Sequence, residues 1–113
     1  MKIISFAWTT DALLAGKKTV TRRDWNDKYA GRFKAGEVCS AYDKSPRYGG
    51  KKVGEVRLTQ APYRQWLHEV TDEDEKKEGG LWGSGKAYQE MMGKDRELWV
   101  VEFELQEWEV VHL

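Results

Sequence analysis

Gly16-Lys17-Lys18-Thr19-Val20-Thr21-Arg22-Arg23 puts four cations and two hydroxyls into eight residues, directly after the short apolar segment Ala12-Leu13-Leu14-Ala15. Solvated charge runs usually interleave glutamate with lysine. This tract is wholly basic and carries β-branched threonines, which favour extended backbone. Upstream, Thr9-Thr10-Asp11 has the composition of a helix cap, so a short helix over 12–15 that Gly16 stops is expected. Downstream, residues 19–23 read as extended. A basic tract of this kind occurs as an exposed turn leading into a strand. It can also hold phosphates, or lower the pKa of a lysine through its like-charged neighbours.

Working outward, residues 2–8 read as a first strand, with Ile4, Phe6 and Trp8 on one parity. A polar connection over 24–31 leads to the Gly36-centred turn and a strand over 38–42. Residues 43–50 hold Pro46 and two consecutive glycines and read as a flexible loop. Residues 52–60 alternate as a strand, with Val53, Glu55 and Arg57 on one face and Val56 and Leu58 on the other. Thr71-Asp72-Glu73-Asp74 matches a capping box, with acids at the helix start, Lys76 and Lys77 near its end and Gly79-Gly80 after it. A further helix is expected over 84–92, stopped at Gly93. The strongest strand signal covers 98–105 within a strand over 97–105, its Trp99 sharing a face with Val101, Phe103 and Leu105 and expected in the core with them. A last strand is expected near 108–112. Five or six short strands, two or three short helices and no βαβ alternation give an α+β fold, a small mixed β-barrel with helical insertions, and exclude an all-α fold.

The chain has 113 residues, which suits a single domain over 1–113. With 19 basic and 19 acidic residues the net charge is zero, so any nucleic-acid contact must come from local segregation of charge. Cys39 is the sole cysteine, which excludes a disulfide framework and a cysteine-based zinc site; in its strand it reads as a small buried hydrophobe. His68 and His112 have no partner at ligand spacing, so neither a metal nor a cofactor is expected. No apolar run approaches membrane-spanning length and no cleavable leader is legible, which points to a cytoplasmic protein without a membrane partner. Six tryptophans exceed what one small core needs. Trp25, Trp66, Trp82 and Trp108 lie in polar or turn-rich surroundings, where aromatics serve as stacking platforms for bases.

Two features bear on chemistry. Glu78 sits in the last turn of its predicted helix, where an anion meets the negative end of the dipole at a cost of about 0.3–1 kcal/mol. Placed before Gly79-Gly80, it can project into a cleft. Lys18 and Thr21 are three apart and face opposite ways on a straight strand. They converge only if the turn after Gly16 continues through Lys18. A threonine hydroxyl beside a desolvated lysine is a nucleophile–base arrangement.

The run from Leu14 to Arg23, followed by Phe33-Lys34-Ala35-Gly36-Glu37-Val38, resembles the ASCH domain, a PUA-like β-barrel associated with RNA. The likeness extends through Thr71…Glu78 and the strand Trp99-Val100-Val101-Glu102-Phe103. Within that family the chain is most similar to small bacterial amidohydrolases that deacetylate 4-acetylcytidine. The resemblance implies Lys18, Thr21 and Glu78 as the catalytic set and matches Arg23 to an arginine two residues beyond the threonine. It implies a nucleoside substrate, with Thr21 attacking the amide carbonyl and Lys18 as base, Glu78 orienting Lys18 or shuttling a proton, and Lys17 or Arg23 stabilising the oxyanion. Tyr42 and Trp82 are candidates to stack on the cytosine. ASCH domains are also similar to RNA-binding modules and ribonucleases, so RNA is the alternative partner for the same basic cleft; the oligomeric state is not legible.

Overall fold

A computed structural model describes residues 1–107. Ten elements follow one another: β1 (Ile3–Ser5), α1 (Thr10–Leu14), β2 (Val20–Arg23), α2 (Asp27–Ala30), β3 (Val38–Tyr42), β4 (Lys52–Leu58), β5 (Tyr63–Trp66), α3 (Asp72–Lys77), α4 (Gly85–Met92) and β6 (Glu97–Gln106). Short 3-10 turns lie at Ala7–Thr9, Pro46–Tyr48 and Leu67–Glu69. The strands form a six-stranded sheet in the order β1-β3-β4-β6-β2, with β5 also paired to β6. Only β1–β3 is parallel among these pairings. The fold class is α+β, as the sequence leads one to expect.

The long strand β6 organises the sheet because it is paired along both edges. On one edge β4 and β5 take successive lengths of it, Leu58 facing Phe103 and Tyr63 facing Val100, so residues 59–62 jog outward opposite residues 101 and 102 alone. On the other edge β2 runs antiparallel, with Thr21 opposite Val101 and Arg23 opposite Trp99. The two end strands of the order, β1 and β2, are joined by a side chain: Arg23 donates from Nη2 to the carbonyl oxygen of Ser5.

Burial divides into two clusters. Ile4, Phe6, Leu13, Phe33, Cys39, Val56, Leu58, Val101 and Phe103 belong to the main core. Leu67, Val70, Tyr88 and Leu98 form a second one beneath α4. Serving both, β6 buries Leu98 and Val100 on one parity and Val101 and Phe103 on the other. This corrects the expectation for Trp99: it is only half-buried, lies 5.2 Å beneath the Arg64 guanidinium, and Leu105 on the same parity is exposed. Cys39 is fully buried, and burial pushes its thiol up to about 11.

Several boundaries move, each for a local reason. The first strand stops at Ser5 because Ala7 takes a positive φ of 48° and turns the chain into the Ala7–Thr9 helix, leaving Trp8 exposed instead of in register with Ile4 and Phe6. Thr9 does not cap α1 with its side chain; its hydroxyl donates to the Phe6 carbonyl at 2.6 Å. The 24–31 connection contains α2, capped by Asn26, whose Oδ1 accepts from the Tyr29 amide at 2.8 Å. The 43–50 loop is internally bonded: Asp43 accepts from the Lys51 amide and Ser45 from the Arg47 amide. Strand β5 carries little apolar signal, its residues being mostly exposed, and follows from its pairing with β6. The expected strand near 108–112, with Trp108 and His112, lies outside the described residues. No helix among the described residues is long and apolar enough to cross a membrane.

Candidate functional site

The junction between α1 and β2 builds one wall of the site. Gly16, at φ +75°, bonds its amide to the Leu13 carbonyl, and the Lys17 and Lys18 amides both reach the Ala12 carbonyl at 3.0 and 3.2 Å. The turn therefore continues through Lys18, as convergence of Lys18 with Thr21 requires. The Thr19 amide then docks on the Lys77 carbonyl at 2.8 Å, which ties the start of β2 to the end of α3. From there β2 delivers Thr21, Arg22 and Arg23.

Helix α3 builds the opposite wall. Its capping box is formed in both directions, Thr71 Oγ1 accepting from the Asp74 amide at 3.1 Å and Asp74 Oδ2 from the Thr71 amide at 3.0 Å. Glu75 and Glu78 are three apart, hence on one face, and both are buried. Glu75 accepts from the Trp82 amide at 3.2 Å and so holds the segment after the helix in place. Glu78, the C-cap residue, accepts four hydrogen bonds from three residues. Lys18 Nζ lies 3.2 Å from its Oε2 and also donates to its carbonyl oxygen at 3.1 Å. The Arg22 amide and the Tyr88 hydroxyl donate to Oε1 at 3.2 and 3.3 Å. The cost of an anion at a helix C-terminus is thus offset by a buried lysine and by donors from two other elements.

Lys18 is 3% exposed and Glu78 is 2% exposed, so their ion pair is inside the protein. Burial lowers the Lys18 pKa; Glu78 opposes that effect, while the Arg23 and Arg22 guanidiniums add to it. Burial also pushes the Tyr88 phenol well above its usual value, with the Glu78 charge acting in the same direction, so Tyr88 stays a neutral donor. Thr21 is buried, and its Oγ1 accepts from Arg23 Nε at 3.1 Å. One lone pair is thereby occupied while the hydroxyl proton stays with threonine.

These groups face a cavity of about 430 Å³, within the size range of small-molecule sites. Lys18, Thr21, Arg23, Glu78 and Trp82, all singled out in the sequence, line it together. Trp82 meets Trp8 and Tyr88 edge-on, at centroid distances of 5.1 and 4.7 Å, and forms an aromatic side to the opening. Lys17 and Tyr42 are not brought there. Lys17 is exposed and lines a separate groove with Asp11 and Gly79. Tyr42 sits at the end of β3 opposite Ser5, and its carbonyl accepts from the Phe6 amide. Neither is among the lining residues of the main cavity.

Sequence reasoning left Arg22 without a role and did not select Tyr88, Gln65 or the 5–9 segment. Arg22 is buried, with Nε and Nη2 on Gln65 Oε1 at 3.1 and 2.7 Å. Tyr88 lies in a helix the sequence predicts, but only the packing of α4 aims it at Glu78. The positive φ of Ala7, which turns Ser5–Thr9 along the cavity edge, has no sequence signal, since alanine seldom adopts it. His68 stacks beside Trp66, away from this cavity. Among the described residues, no group of three or more histidines, cysteines and carboxylates is placed to hold a metal.

No family model matches the chain, and no curated protein matches it. Among solved structures it resembles protein EF3133 from Enterococcus faecalis V583, described as belonging to family DUF984: the TM-score is 0.62 at 16% identity, covering 94% of this chain and 76% of that one. That likeness establishes the fold alone, a small α+β architecture on a mostly antiparallel sheet.

Proposed function

We propose that the chain is an ASCH-type, PUA-like protein whose sheet curls into a small barrel, and that it is an amidohydrolase removing the acyl group from 4-acetylcytidine or a related acylated cytosine nucleoside. The observation that carries this reading is the convergence of Lys18 and Thr21 with Glu78, far from both in sequence, on one cavity, with the buried lysine ion-paired to the buried glutamate.

Thr21 attacks the acyl carbonyl carbon while its proton passes to the neutral amine of Lys18, a form that burial makes accessible. Arg23, already bonded to Thr21 Oγ1 and to Ser5, is fixed beside the reacting oxygen and stabilises the developing oxyanion without reorganising. As the carbon–nitrogen bond breaks, Lys18 returns the proton to the exocyclic nitrogen and cytidine departs. Water, deprotonated by the same amine, then hydrolyses the threonine ester. Glu78 holds Lys18 in place and stabilises its charged form between the two transfers. Trp82 stacks on the pyrimidine.

The rival reading, an RNA-binding module, needs cations free to meet phosphates. Lys18, Arg22 and Arg23 instead turn inward and are bonded within the protein, leaving Lys17 as the exposed cation of the tract. This favours a small substrate over a polyanion. The test is chromatographic release of cytidine from 4-acetylcytidine by the purified protein. Thr21→Val and Lys18→Ala are expected to lower turnover by about 100-fold or more, the typical worth of such groups. Undiminished turnover in the lysine variant refutes this mechanism, and absence of cytidine release with the wild type refutes the reading.

A further inference from the structure

Three cations from one stretch of chain, Lys18, Arg22 and Arg23, lie at a cavity with a single carboxylate, that of Glu78. Arg22 has no part in the proposed chemistry, yet its side chain is only 2% exposed, as sealed from water as Glu78 itself. Its hold on Glu78 is double. The Arg22 amide donates to Glu78 Oε1 at 3.2 Å, and the guanidinium Nη1 lies 3.8 Å from the same oxygen, an ionic contact longer than a hydrogen bond. Gln65 fixes the other side of the guanidinium by accepting from Nε and Nη2. Tyr88, whose ring centroid is 5.8 Å from the guanidinium carbon, donates its hydroxyl to Oε1 as well, at 3.3 Å. Lys18 Nζ meets the other oxygen, Oε2, at 3.2 Å. The carboxylate is thus divided, Oε1 to Arg22 and Tyr88 and Oε2 to Lys18.

We propose that Arg22 is a positioning residue: it holds Oε1 of Glu78 and takes a share of the carboxylate's charge, so that Lys18 keeps its proton only loosely and can serve as base. The assignment deepens the proposed amidohydrolase, and its catalytic consequence rests on that reading. The physical reason is a surplus of positive charge with little water to screen it. A guanidinium keeps its proton in a protein, whereas a buried amine can release one, so the surplus is relieved at Lys18. Glu78 from α3 and Arg22 and Arg23 from β2 act on Lys18; Glu78 holds the proton on, and the two arginines push it off. Arg22 itself faces Tyr88 on α4 and Asp74 on α3, the latter 3.9 Å from Nη2 and partly open to solvent, and the Tyr63 phenol on β5 feels its charge. Taking Arg22 away removes one push and frees Oε1 for the lysine. Both changes act in the same direction.

The test follows the Hε–Cε signal of Lys18 by NMR through a pH series, the signal being assigned by its loss in Lys18→Arg. It compares the wild type, Arg22→Gln and Tyr88→Phe, and sets beside each the pH profile of 4-acetylcytidine hydrolysis. Arg22→Gln is expected to move the Lys18 titration to higher pH. On the rising limb of the profile its turnover is expected to fall by about tenfold, the worth of one neighbouring charge on a proton equilibrium, and to recover as pH rises. Tyr88→Phe removes a neutral donor from Oε1 and is expected to shift both in the same direction by less. A merely structural arginine would lower turnover by one factor at every pH. That result with an unmoved Lys18 titration overturns the assignment, and so does a shift to lower pH. Should Arg22→Gln fail to fold, Tyr88→Phe decides by the same criterion. A shifted Lys18 titration in a protein whose wild type releases no cytidine would refute the amidohydrolase reading and leave the positioning role standing; cytidine release with an unshifted titration would do the reverse.

Discussion

Replacing Glu78 with glutamine tests the electrostatics of the site most directly. The change keeps the shape of a side chain that is 2% exposed but removes the charge facing Lys18 Nζ at 3.2 Å and Arg22 Nη1 at 3.8 Å. Breaking one side of a buried pair typically costs about 3–5 kcal/mol, because the remaining charge is left uncompensated. Here Lys18 has an escape, since it can give up its proton. Burial already lowers its pKa, and of the two effects that hold it up, the Glu78 charge vanishes in the variant while the hydrogen bond becomes a weaker one to a neutral amide oxygen. The folded pKa therefore falls further below the value in the unfolded chain. Above that lowered folded pKa the unfolded state binds the extra proton, so stability rises with pH, by at most about 1.4 kcal/mol per pH unit for one group. The deficit of the variant against the wild type is full below the variant's Lys18 pKa and narrows as pH rises from there to the wild type's. Urea unfolding of both proteins over a pH series below the ordinary lysine value should show a loss of about 3 kcal/mol at the acid end that shrinks towards the alkaline end. The Arg22 share does not recover, because a guanidinium keeps its proton. A deficit equal at both ends would refute the claim that Lys18 adjusts its protonation to its surroundings.

Three further outcomes follow from other parts of the molecule. Hydrolysis of 4-acetylcytidine should rise with pH and level off below the ordinary lysine value of about 10.4, because the neutral amine is the working form; a rate that falls between pH 7 and pH 9 would count against Lys18 as base. Gly85→Ala should destabilise by about 2 kcal/mol or more despite alanine's better helix propensity, since the added Cβ would sit 2.7 Å from the Thr71 carbonyl oxygen and 2.8 Å from that of Val70, both backbone atoms with little room to give; thermal melting would show it. Ala7→Gly should leave stability unchanged or raise it by up to about 1 kcal/mol, since glycine adopts the +48° φ of Ala7 without strain, and a clear loss in urea unfolding would mean that the methyl group's packing outweighs the backbone term.

What could be read in the sequence was whatever depends on near neighbours in the chain. The strand Val38–Tyr42 follows the Gly36-centred turn with the bounds the sequence suggests. Helices α3 and α4 begin at Thr71 and Ser84, whose hydroxyls cap them as the local pattern requires, and Gly16 turns the chain after α1. The helix-to-strand passage at Lys18 was legible as a condition: if Lys18 and Thr21 act together, the turn must run on through Lys18, and it does. Glu78 stood out locally as an anion at the wrong end of a helix, whereas Lys18 and Thr21 were joined to it as a set by the resemblance to the ASCH family.

The assembly of those groups was decided by tertiary structure alone. No local term joins Lys18 to Glu78, which are sixty positions apart; the join depends on the Thr19 amide docking on the end of α3. Arg22 was unreadable because its meaning lies in a fork occupied by Gln65 on β5, a strand that exists only through its pairing with β6. Lys17 shows the converse. By composition it is as good a cation as Lys18, yet the turn directs it to solvent and Lys18 inward. Sequence thus determined which chemical groups were present and how each short segment would bend, since those energies are local. Which of the groups lost water and gained one another was settled by packing, because desolvation and charge pairing depend on what the rest of the chain brings within a few ångströms.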